Sequence, residues 1–160
     1  MTKVNLLWRI KLLLLCILFC LGFQKTATLT GKVIKVADGD TITILTEDKK
    51  QVKIRLYGID CPEKKQDFGT KARTFTSTIC FGKNVTVEIK GIDRYKRTLG
   101  IVKVEGKNVN EELLKNGLAW KYKYTYSSHY LKLAQQARKS KLNIWSLKKP
   151  IAPWDFRKRK

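Results

Sequence analysis

Between residues 29 and 58, apolar side chains recur at alternate positions in three short runs, and this pattern restricts the fold more than any other feature of the chain. The first run, 29–37, carries Val33, Ile34 and Val36. Asp38-Gly39-Asp40 reads as a turn, and 41–45 resumes the alternation with Ile42 and Ile44. After a second turn at Glu47-Asp48-Lys49-Lys50, the residues Val52, Ile54, Leu56 and Gly58 alternate against Lys53, Arg55 and Tyr57. A period of two marks half-buried strands, and strands joined by tight turns make a meander. Pro62 closes the run, because proline lacks the N–H that a central strand must donate.

Beyond Pro62 the period changes. Residues 70–80 read as a helix with Ala72, Phe75 and Ile79 on one face and Gly82 beyond its end. Val85, Val87 and Ile89 mark a fourth strand, and 99–104 a fifth. Residues 109–116 form a short helix stopped by Gly117, a left-handed cap. Ser127 or Ser128 caps a last helix to about Lys141, with Leu131, Ala134 and Ala137 facing inward. The expectation is an α+β domain of five strands and three α-helices, its sheet closed into a small barrel that leaves no exposed edge. At 160 residues the chain suits one domain.

Charge narrows the partners. The chain holds 34 Lys and Arg against 13 Asp and Glu, a formal +21. So basic a small domain repels itself, and a polyanion is the usual offset. Nucleic acid fits best; an anionic membrane surface or heparin-like polymer also fits. The terminal Arg157-Lys158-Arg159-Lys160 run reads either as a solvated end or as a polyanion contact.

Residues 1–24 read as a signal peptide or N-terminal membrane segment, and 25–160 as the folded domain with its basic tail. Lys3, Arg9 and Lys11 precede an unbroken apolar run of 12 residues, 12–23. That length suits an export signal and is short for a membrane span. The expected location is periplasmic, secreted or surface-associated, with membrane contact only during export; an anchor through residues 6–23 is the alternative. Cys16 and Cys20 lie in this segment. Cys61 and Cys80 remain, either as one disulfide or as two separate thiols. No C-x-x-C pair exists and His129 is the sole histidine, which disfavours zinc.

Four charged clusters sit at turns or strand ends: Asp38-Gly39-Asp40-Thr41; Arg55; Asp60-Cys61-Pro62-Glu63; and Asp93-Arg94-Tyr95-Lys96-Arg97. Alone, each passes for a turn or a surface charge. Together they supply what phosphodiester hydrolysis needs. Carboxylate oxygens suit a hard divalent cation. A further carboxylate can take a proton from water, and guanidinium forks can bind phosphate oxygens.

These segments carry a family resemblance. V-A-D-G-D-T at 36–41, I-R-L-Y-G-I-D-C-P-E at 54–63, D-R-Y-K-R at 93–97, V-N-E-E-L-L-K-N-G-L-A at 109–119 and L-N-I-W-S at 142–146 resemble the staphylococcal nuclease (thermonuclease) family over about residues 29–154. The resemblance implies a Greek-key OB-type β-barrel. It implies calcium bound by Asp40, Asp60 and the Cys61 carbonyl, Glu63 as general base, and Arg55 and Arg97 on the scissile phosphate. Where the family often has Thr, this chain has Cys61; only the carbonyl is asked to bind metal. Arg94, Tyr95, Tyr122 and Tyr124 are candidate substrate contacts. Tyr122, Tyr124 and Tyr126 face one way if their segment is extended, either to stack on bases or as a packing stripe. His129 reads as a bystander. The expected activity is that of a monomeric endonuclease on DNA and RNA that leaves 3′-phosphates. Its rivals are a non-catalytic OB-fold nucleic-acid-binding module and a membrane-tethered basic interaction protein.

Overall fold

A computed structural model describes residues 27–159. The expected signal or anchor segment, 1–24, lies outside the described residues. Strands β1 (Thr28–Asp38), β2 (Thr41–Leu45) and β3 (Gln51–Leu56) form the antiparallel meander. β5 (Asn84–Ile92) pairs with β1, and β6 (Thr98–Val104) pairs with β5. A parallel pairing of β3 with β6 then closes the sheet into a five-stranded barrel. Three two-residue strands complete the set: β4 (Ile59–Asp60), β7 (Lys107–Asn108) and β8 (Trp120–Lys121). β4 pairs with β8 outside the barrel sheet.

The alternation read from the sequence is the barrel interior. Val33, Ile42, Ile44, Ile54, Leu56, Val87 and Val102 are all essentially sealed from water. Each such side chain contributes about 1.5–3 kcal/mol by leaving solvent. Gly100 belongs to this packing, because a Cβ there would come within 2.3 Å of Val87 Cγ1.

The three expected helices are α1 (Gly69–Cys80), α2 (Val109–Lys115) and α3 (Ser128–Lys139). Asn108 caps α2 and Ser127 caps α3, each accepting a backbone N–H of the first turn. On α3 the inward face is Tyr130, Leu133, Ala134 and Ala137; Leu131 is exposed, contrary to the sequence expectation. The buried set has the i, i+3, i+4, i+7 spacing of one helix face, and Tyr130 rather than Leu131 falls on it. A fourth helix, α4 (Pro153–Phe156), was not expected. It opens with Pro at its first position, where the missing N–H costs nothing.

Helices α1 and α2 position the loops at one end of the barrel. The Thr76 hydroxyl of α1 donates to the Gly39 carbonyl at 2.5 Å, and Arg73 Nε donates to the Val36 carbonyl at 3.0 Å. A Cβ at Gly39 would meet Ala72 Cβ at 2.7 Å, so glycine lets the turn sit flush on the helix. The buried Asn110 of α2 donates to the Tyr57 and Gly100 carbonyls and accepts from Val102 N. That one amide ties α2 to β6 and to the turn between β3 and β4.

Candidate nuclease site

The β1–β2 turn, the end of β3, the β4 strand with its following loop, and the β5–β6 loop open onto one cleft of ≈1210 Å³. Asp40, Arg55, Asp60, Cys61, Glu63, Arg94, Tyr95, Arg97, Tyr122 and Tyr124 all line it. Every residue singled out as a candidate site residue therefore reaches the same space.

Asp40 and Asp60 form the floor and are 5% and 1% exposed. Asp40 Oδ2 accepts the Cys61 N–H at 2.6 Å, which fixes the first turn to the Pro62 loop. Arg55 lies between the two acids, Nη1 at 2.8 Å from Asp40 Oδ2 and Nη2 at 2.7 Å from Asp60 Oδ1. On the open barrel end the strand's polar face is thus a buried one. Burial works against the Arg55 charge, but Asp40 and Asp60 outweigh it and raise its pKa. Burial is likewise the largest influence on Asp60 and pushes its carboxyl up, against the pull of Arg157 and Arg55.

Glu63 follows Pro62 at the cleft edge. Its N–H donates to Gln66 Oε1 at 3.2 Å, and Gln66 Nε2 donates to the Ile151 carbonyl at 2.6 Å. Gly69 lets this loop close, since a Cβ there would strike the Glu63 carbonyl. Asp93 organises the opposite rim. Its Oδ1 accepts from the Tyr95 and Arg97 N–H groups, both at 2.9 Å, and its Oδ2 binds Arg97 Nε and Nη2 at 2.7 Å. Arg97 thus faces the cleft without touching the Asp40, Asp60 and Glu63 carboxylates. Arg94 and Arg97 flank the Tyr95 ring at 4.8 and 5.4 Å.

The tyrosine segment is a turn and not a strand, with Thr125 N donating to the Tyr122 carbonyl. Tyr122 and Tyr124 meet edge-on at 5.5 Å and line the cleft, whereas Tyr126 points fully into solvent. His129 sits away from the cleft, 3.3 Å from Glu111. Cys61 and Cys80 are both buried free thiols.

Asp38, Trp154 and Arg157 stand out among the cleft residues with no site role assigned from the sequence. Asp38 lines the cleft, and burial, then Asp40 and Glu63, raise its pKa. Trp154 stands edge-on to Trp120 at 5.7 Å and to Tyr122 at 6.3 Å. Arg157 binds Asp60 Oδ2 through Nη2 at 2.7 Å and Glu63 Oε1 through Nη1 at 2.6 Å. Asp38 had a signal, being the other acid of the Asp-Gly-Asp turn. Pro153-Trp154 was the signal for a folded tail.

The donors suit a hard cation. Asp40 and Asp60 converge on a single guanidinium and bring carboxylate oxygens to the cleft floor, the donors a hard cation prefers. Among the described residues no three His, Cys, Asp or Glu side chains gather into a ready-made cage. Backbone carbonyl and water would therefore supply much of a cation's shell, as hard cations accept.

A family profile described as staphylococcal nuclease homologue matches residues 53–147. A protein of Haemophilus influenzae named as an uncharacterized endonuclease is 42% identical over 130 residues, spanning 81% of this chain and 73% of its own. An Escherichia coli protein of the same description is 41% identical over 136 residues, 84% of this chain and 88% of that one. A micrococcal nuclease of Shigella flexneri is 33% identical over 144 residues, 82% of each. With that profile spanning more than half the chain and these relatives matching over 81% or more of it, the chain belongs to the staphylococcal nuclease family of hydrolytic nucleases.

Proposed function

We propose that this nuclease is a calcium-dependent endonuclease that cleaves DNA and RNA and leaves 3′-phosphate ends. The observation that carries this reading is the convergence of Asp40, Asp60 and Glu63 with Arg55 in one cleft open to a polymer. Asp40, Asp60 and the Cys61 carbonyl would hold calcium, whose chemistry when bound is to neutralise phosphate charge and orient an attacking water. Glu63 takes the proton of that water on a carboxylate oxygen. Arg55, fixed on β3, binds the phosphate before reaction. Arg97 adds its fork as charge builds on the phosphate oxygens, an interaction worth most in the transition state. Tyr122 and Tyr124 offer ring faces to bases without selecting among them.

The surrounding basic surface supplies affinity by counterion release, so binding falls steeply with salt. The proposed chemistry calls on no residue from a second copy, in keeping with action as a monomer. Export supplies a compartment with free nucleic acid as substrate and an apolar run of signal length supports it.

The test is incubation of the purified chain with single- and double-stranded DNA and with RNA, in calcium or in chelator, with analysis of the fragment ends. Calcium-dependent fragments bearing 3′-phosphates are expected. Tight binding without cleavage in any divalent cation would favour the binding-module reading.

A further inference from the structure

Arg157 occupies a place that the proposed chemistry does not use. The segment carrying it is fastened at several points. The Ile151 carbonyl accepts from Gln66, the Ala152 carbonyl accepts from Asp155 and Phe156 N–H groups, and Ala152 and Pro153 are buried. Trp154 packs on Trp120 and Tyr122. The Arg157 fork then reaches both the inner acid Asp60 and the edge acid Glu63, and those bonds favour its charged form.

We propose that Arg157 is a third phosphate-binding arginine of the nuclease site, held in reserve on Asp60 and Glu63 until cation and substrate arrive. This rests on the assignment of Asp60 to the cation and Glu63 to the water. Charge balance supports it. Asp40, Asp60 and Glu63 carry three negative charges against two on Arg55 and Arg157. Within this contact-linked set, a divalent cation and one phosphodiester add two positive charges and one negative, and the sum is zero with both arginines in place. Arg157 Nη2 must release Asp60 Oδ2 for a cation to bind that oxygen, and a phosphate drawn in by the cation then offers the freed donors a new acceptor beside Glu63. A guanidinium suits that transfer, since its planar donors match a phosphate as well as a carboxylate. The rival is a structural clamp, a salt bridge that only holds the tail down.

The test uses the full chain with Arg157→Ala and Arg157→Lys. Calcium binding is measured by calorimetry without nucleic acid, and kcat and KM on a defined DNA oligonucleotide; thermal melting confirms folding. A reserve arginine competes with calcium, so its removal should tighten calcium binding roughly tenfold, as loss of a charge-assisted bond implies. In the same Ala variant kcat should fall on the order of 10²-fold, as for loss of a transition-state donor. Lys, keeping the charge without the fork, should fall between Ala and wild type in kcat. Calcium affinity that is unchanged or weaker, with kcat within about threefold of wild type at saturating calcium, would mark a clamp and overturn the proposal. Should Ala not fold, the Lys variant decides by the same two readouts. A wild-type chain that binds no calcium would defeat the reading of the site itself, whereas an active wild type matched by its variants defeats only the role of Arg157.

Discussion

Replacing Asp40 separates its work in the fold from its work in the chemistry. Asp40→Ala removes the acceptor of the buried Cys61 N–H, a bond of 2.6 Å between residues far apart in sequence. An orphaned buried donor costs about 1–3 kcal/mol. The change also removes one of two carboxylates from Arg55, which keeps Asp60 at 2.7 Å. With one partner retained, that loss belongs at the low end, about 1 kcal/mol. The expected destabilisation of the Ala variant is therefore about 3 kcal/mol. Asp40→Asn keeps a carbonyl oxygen for Cys61 and loses only the charge, so about 1 kcal/mol is expected. Urea titration in chelator reads the difference. With a slope near 2 kcal/mol/M, the midpoint should drop by about 1.5 M for Ala and about 0.5 M for Asn. Both variants should lose calcium-dependent cleavage, because neither offers a carboxylate to the cation. Equal midpoints for Ala and Asn would refute the idea that the Cys61 bond braces the turn. Full cleavage by Asn would refute the metal assignment.

Other outcomes test the remaining parts. Glu63→Gln should cut kcat by about 10²–10⁴-fold and Arg97→Ala by about 10²–10³-fold, each with kcat/KM falling in step; a variant that raises KM alone marks a binding contact. Thr76→Val keeps the shape of the buried side chain but orphans the Gly39 carbonyl, and should lower stability by about 1–3 kcal/mol; an unchanged urea midpoint would show that α1 does not hold the turn. Cys80 is pushed up to about 11 by burial, and the Cys61 thiol is raised as well, by burial and then Asp40. Native protein at pH 8 should react with a thiol reagent far more slowly than unfolded protein. Because the unfolded thiols ionise first, stability from this source is full below about pH 9 and declines as pH rises toward the folded value. Rapid labelling of both thiols in the native state would contradict the burial.

The barrel was legible because its interior obeys the period of two at almost every position. The acids were legible because all stand at breaks in that period, where a strand ends and a side chain gains freedom. Arg55 shows the limit of such reading. Alternation puts it on the polar face, but only closure of β3 on β6 and the convergence of Asp40 and Asp60 on its fork make that face a floor. Tyr126 was grouped with Tyr122 and Tyr124 on the assumption of an extended segment, and the turn at Tyr122–Thr125 separates them. Arg157 was hidden by its neighbours. In a run of four basic residues nothing local distinguishes the one that turns inward. That choice is made elsewhere, by Gln66 seizing the Ile151 carbonyl and by Trp154 finding Trp120.

The charge distribution argues against a module that merely binds. Five carboxylates and seven basic side chains line the cleft, an excess of only two in a chain of +21. The affinity for a polyanion therefore resides mainly on the outer surface, where counterion release needs no buried acid. A binding groove gains nothing from Asp40 and Asp60, which repel the phosphates it would hold. Stability does not account for their charge either, because an amide oxygen would keep the Cys61 bond and buried ion pairs are often no better than apolar residues of the same volume. Acidic charge that weakens substrate contact and adds only about 1 kcal/mol to the fold needs a use of its own. Holding a cation against a phosphate is such a use, and it calls for acids where Asp40 and Asp60 stand, on the floor of a cleft that Arg55, Arg94, Arg97 and Arg157 also line.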